Sequence, residues 1–146
     1  MHTTLFRPAL AAVALSTLLF TGVPAFAEMV SYKADLKAAS EVPPNDSKGT
    51  GAVDATYDTT SKKLTWTITY SGLTGPATAA HFHGPAEAGK NAPPVVPING
   101  NLTSPIKGDA TLTDAQVADL QAARWYFNVH TAAHTGGELR GQVMKK

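Results

Sequence analysis

Lys63-Leu-Thr-Trp-Thr-Ile-Thr-Tyr70 alternates without a break, with Leu64, Trp66, Ile68 and Tyr70 on one side and Thr65, Thr67 and Thr69 on the other. A pleated strand sends successive side chains to opposite faces, so this run predicts an antiparallel strand with one face in a core. Asp58 to Lys62 before it is polar turn material, and Gly51–Tyr57 is the expected hairpin partner. Tyr32–Ala38 reads as a first strand, with Lys33, Asp35 and Lys37 outward. Further strands are expected at Thr78–Gly84, Val95–Ile98, Lys107–Leu112, Arg124–Thr131 and Glu138–Met144. Gly72 to Pro76 and Gly84 to Pro94 are loops by their Gly and Pro content. One helix interrupts the pattern: Thr113-Asp-Ala-Gln116 fits a capping box, with Val117 and Leu120 following at helical spacing. Many short strands with a single helix predict an all-β fold, a Greek-key β-sandwich or flattened β-barrel. Trp66 and Trp125 belong to its core.

The N-terminus reads differently. Arg7 is the only charge among the first 27 residues; the apolar run Ala9–Phe20 follows it, then Ala25-Phe-Ala27 in the small-x-small pattern of signal-peptidase sites. That run is shorter than the roughly 20 residues of a membrane-spanning helix. Residues 1–27 are therefore expected to be a secretory signal peptide, with Glu28 the first residue of a periplasmic or secreted protein. Removing 27 of the 146 residues leaves 119, one domain over residues 28–146. Without Arg7, Lys+Arg falls from 12 to 11 and balances 11 Asp+Glu. A neutral chain does not suit nucleic acid or an anionic membrane surface, both of which call for clustered positive charge. The chain has no cysteine, which removes thiolate catalysis, thiolate metal sites and a thiol-linked lipid anchor. A monomer or weak homodimer is expected.

The histidines carry the chemistry. After residue 27 there are four, in two short segments: Ala80-His-Phe-His-Gly84 and Asn128-Val-His-Thr-Ala-Ala-His134. His81 and His83, two apart on a strand, project from one face while Phe82 faces the core. In the Arg124–Thr131 strand, Trp125, Phe127 and Val129 form the apolar face, which places His130 with Tyr126 and Asn128 on the other. If the two strands are neighbours, three imidazoles converge, and His134 could fold back as a fourth ligand. Nitrogen ligands without thiolate suit copper or zinc, and the Irving–Williams order favours Cu(II). A carbonic-anhydrase-like zinc site would need the same three imidazoles, so zinc stays open as the less favoured metal. No Gly-x-Ser-x-Gly elbow or Ser–His–Asp set is visible, and the scattered carboxylates read as solvated surface charge.

Three stretches resemble the CHRD domain family: Glu41-Val-Pro-Pro44; Leu73-Thr-Gly with Thr78-Ala-Ala-His-Phe-His-Gly84; and Tyr126-Phe-Asn-Val-His130-Thr with Gly137-Glu-Leu-Arg-Gly-Gln-Val143. The resemblance implies an all-β extracytoplasmic domain over about Val30 to Met144. A weaker similarity is to the Cu,Zn superoxide dismutases, Greek-key barrels whose copper is held by a His-x-His pair and a later histidine. His81, His83 and His130 match that order, and Arg140 follows as a guanidinium does there. The chain lacks that family's disulfide and its separate zinc site, so the similarity implies a copper-only site. Three functions are weighed. The first is a copper superoxide dismutase, with Arg140 or Arg124 attracting the anion. The second is a non-catalytic copper buffer, with His134 closing the coordination. The third is a metal-free interaction module.

Overall fold

The computed structural model describes residues 26–146; the expected signal peptide, apart from Phe26 and Ala27 of its cleavage motif, lies outside them. Among the described residues nine strands and one α-helix form. The strands are β1 (Met29–Lys37), β2 (Thr50–Asp58), β3 (Lys63–Ser71), β4 (Ala77–His83), β5 (Pro94–Pro97), β6 (Ile106–Thr111), β7 (Tyr126–Thr131), β8 (Leu139–Gln142) and β9 (Met144–Lys145). Helix α1 spans Asp114–Gln121 between β6 and β7. No helix among the described residues is long and apolar enough to cross a membrane.

All strand pairs are antiparallel, in the order β5-β4-β7-β8-β1-β2-β3-β6, with β9 added beside β1. β1, β2 and β3 form a meander, whereas the β3–β4, β5–β6 and β6–β7 connections jump between the two ends of that order. This is Greek-key-type connectivity in a sheet curled into a nearly closed barrel, as the alternation implied. The seam lies between β5 and β6, and α1 spans it. Thr113 caps the helix by accepting from Gln116 N, and Gln116 Oε1 accepts from Thr113 N, while Gln116 Nε2 donates to Val95 O of β5. One side chain thus closes the capping box and bridges the seam.

The alternation of β3 is realised as read: Leu64, Trp66 and Ile68 are buried, and only Tyr70, at the strand's end, is half-buried. β1 alternates along its whole length, with Tyr32, Ala34 and Leu36 inside. An aromatic cluster fills the barrel: the Phe82 ring centroid lies 5.3 Å from Trp66, 5.9 Å from Trp125 and 5.0 Å from Phe127. Burying each such ring contributes roughly 1.5–3 kcal/mol, which fixes the pleat of β4 and β7 and so determines which residues face outward.

The last expected strand, Glu138–Met144, is divided. Gln142 pairs with Tyr126 of β7, Val143 N donates to Trp125 O, and Met144 pairs with Lys33 of β1. The chain parts from β7 at Val143, whose side chain is buried in the core, and stays beside β1, with Lys37 opposite Arg140 and Lys33 opposite Met144. Two carboxylates also depart from the surface reading: Glu41 is 4% exposed and Glu138 is wholly buried.

Candidate metal centre

β4 and β7 are neighbours, and their register sets His81 opposite Asn128 and Ala79 opposite His130. Because Phe82 and Val129 point inward, His81, His83, Tyr126, Asn128 and His130 share the other face. Loops cover much of that face. Residues 84–93 bring Ala92, Lys90 and Asn91 over it, residues 38–49 bring Glu41, and residues 132–137 bring Thr135. The site is a lined recess as a result, and His83 is only 7% exposed. The face that points away from the core is thus covered at His83 by these loops. The His83 ring lies parallel to Tyr126 at 4.6 Å, its Nδ1 hydrogen-bonds Ala92 O, and its Nε2 faces Asn128 Oδ1.

His81, His83 and His130 each place a ring nitrogen within 4.8 Å of the others, and they form the one such group among the described residues. His81 Nδ1 lies 3.2 Å from His130 Nε2. The tautomers of two of the rings are fixed by main-chain carbonyls. His83 Nδ1 donates to Ala92 O at 2.8 Å, and His130 Nδ1 donates to Thr135 O at 2.9 Å. In each neutral ring the lone pair then resides on Nε2, directed into the cluster. A ring N–H held by a carbonyl, with the other nitrogen free, is how proteins orient metal-ligating imidazoles. Burial, followed by the charges of His130 and His83, holds His81 below the ordinary imidazole range. Burial also lowers His83, and its bonds to Ala92 and Asn128 offset this only in part. Lowered values favour the neutral rings that coordination needs.

The other residues singled out from the sequence fall elsewhere. His134 lies in the turn after β7, where its N–H and carbonyl exchange bonds with Thr131. It lines a cleft with Glu41, Pro44 and Gly137 and is outside the three-histidine group. Arg140 is 2% exposed, with its guanidinium 3.5 Å from the Tyr126 ring centroid and bonded to Lys90 O and Asn91 Oδ1. Tyr126 is therefore sandwiched between Arg140 and His83, and Arg140 reaches the imidazoles as a charge across that ring. Arg124 pairs with Asp119 at 3.6 Å, both side chains partly exposed.

Sequence reasoning passed over three residues. Glu138 accepts from Ser47 Oγ, Thr74 N, Thr74 Oγ1 and Thr131 Oγ1. These bonds outweigh its burial and pull its carboxyl down to about 2. Glu41 is pushed up by burial, against the pull of Arg140, the Val42 N–H, Asn128 and His134. Asn128, 3% exposed, stands between His83 and His130. The available signal was positional: Glu41, Thr74, Asn128 and Glu138 all lie in the stretches that resemble a known domain, and the fold brings those stretches together here.

Comparison with known proteins agrees. The model of the CHRD domain family matches residues 32–143, while no curated protein and no solved structure matches. The match covers most of the chain and spans every residue of the recess, and on that ground the chain belongs to the CHRD domain family.

Proposed function

We propose that this CHRD domain protein is exported and holds one copper ion on His81, His83 and His130, and that it serves as a copper-only superoxide dismutase. The observation that carries the reading is the convergence of three imidazoles, two of them with Nδ1–H tied to a carbonyl and Nε2 left as the inward lone pair. Three nitrogens without thiolate or carboxylate form a donor set suited to copper ahead of zinc. Bound copper supplies one-electron cycling: one superoxide gives up its electron and leaves as O2, and a second takes that electron with two protons and leaves as H2O2.

The chain's own residues set the conditions for that exchange. His81 and His130 are partly exposed, so a small anion reaches the cluster from their side while His83 stays covered. Arg140 adds a positive field behind Tyr126 in a recess largely screened from water, which favours an anion at the cluster. The place of His134 outside the group argues against a closed four-histidine carrier. The test loads the protein with one equivalent of Cu(II) and follows superoxide decay. Catalytic decay that chelation abolishes supports the enzyme. Tight copper binding without faster decay would leave a copper buffer in its place.

A further inference from the structure

Asn128 stands where the lone pairs of the histidine cluster converge. Its Oδ1 lies 2.9 Å from His83 Nε2 and 2.9 Å from His130 Nε2. Neither nitrogen carries a proton in the neutral ring, since each Nδ1–H is already given to a carbonyl. The amide is oriented from its far side, where Asn128 Nδ2 and the buried Glu41 carboxyl group crowd the same space beside Gly137. A carboxylate only accepts, so the NH2 group turns to Glu41 and the carbonyl oxygen turns to the histidines. Gly137 makes room for this pair, because a Cβ there would collide with Glu41 and crowd Asn128 Nδ2. Two nitrogens and an oxygen thus face one another with no proton between them, an arrangement that a cation among them would relieve.

The spacing says which kind of cation. Ligands about 2.0–2.1 Å from one ion stand about 2.9 Å apart at right angles, against about 3.4 Å at the tetrahedral angle. The contacts are 2.9, 2.9 and 3.2 Å. Building on the copper reading above, we propose that Asn128 Oδ1 is a fourth ligand. It completes a tetragonal set of three nitrogens and one oxygen with His81 Nδ1, His83 Nε2 and His130 Nε2. Glu41 is the positioning residue that aims it. Tetragonal nitrogen–oxygen sets suit Cu(II), whereas zinc takes tetrahedral ones.

The test combines equilibrium Cu(II) and Zn(II) titration with electron paramagnetic resonance of the copper-loaded protein. In the Asn128→Ala variant, Cu(II) affinity should fall at least about 10–100-fold, the range that even outer-sphere partners command, and Zn(II) affinity should fall less. Glu41→Leu should follow Asn128→Ala, and Glu41→Gln, which keeps an oxygen for the Asn128 NH2, should restore the parent spectrum. The exchanged pair E41Q/N128D keeps the packing if Asn128→Ala folds poorly; it should bind Cu(II) at least as tightly as the parent, with a shifted g∥. Parent affinity and an unshifted spectrum in both Asn128→Ala and the exchanged pair would overturn the ligand and leave the histidine site standing. A parent that takes up no copper would overturn both.

Discussion

Glu138 shows how much a single residue holds together here. It gathers Ser47, Thr74 and Thr131 from three separate segments on one carboxylate, and Asn45 Nδ2 donates to its main-chain carbonyl. Its folded pKa, about 2, lies below the ordinary 4.5, so the stability it lends is complete above the unfolded-state value and is lost as pH falls from 4.5 toward 2. That shift corresponds to about 3 kcal/mol. Urea denaturation near pH 6 and near pH 2.5 should show the parent losing more stability on acidification than Glu138→Gln, by about 2.5 kcal/mol, since the loss is not yet complete at the lower pH. Equal losses would mean that the four donors do not favour the ionised form. The sequence could not disclose this residue. Buried carboxylates are rare, and the donors that make burial tolerable come from up to 91 residues away. Asn128 and Glu41 were hidden for the same reason, whereas the histidines were visible because their spacing is local.

Among the elements, those defined by one periodicity were legible and those defined by the loss of a neighbouring strand were not. β3 could be read residue by residue, since the alternation of Leu64, Trp66 and Ile68 with threonines reflects a single buried face. The break between β8 and β9 left no trace in the pattern: Val143 stays in phase with the alternation while the chain parts from β7 and continues along β1. Helix α1 was visible through its cap, but its role in bridging the seam depends on Val95 O, which lies 21 residues from Gln116 in sequence. Replacing Thr113 with Ala should remove the cap and cost about 1 kcal/mol in chemical denaturation. Hydrogen exchange at Val95 and Val96 should quicken as well, because the cap and the bridge share Gln116. Unchanged exchange at β5 would show that the seam is held without the helix.

At the scale of the whole molecule, the barrel supplies rigidity and its polar face supplies chemistry. The core aromatics Phe82, Trp125 and Phe127 set the phase of β4 and β7, and that phase alone brings His81 and His83 round to His130. The CHRD family, the all-β class and the histidine triad were all legible in sequence. The loop cover over the face was not, because Gly- and Pro-rich segments have no periodicity to read. Equilibrium copper titration of the protein beside its four single His→Ala variants tests the central claim most directly. The parent should take up one Cu(II). His81→Ala, His83→Ala and His130→Ala should each lose at least about tenfold in affinity. His83→Ala should also lose about 1–3 kcal/mol of stability with its hydrogen bond to Ala92 O and its packing on Tyr126, and His134→Ala should bind as the parent does. Parent-like affinity in both His81→Ala and His130→Ala would contradict the shared site and leave a metal-free interaction module.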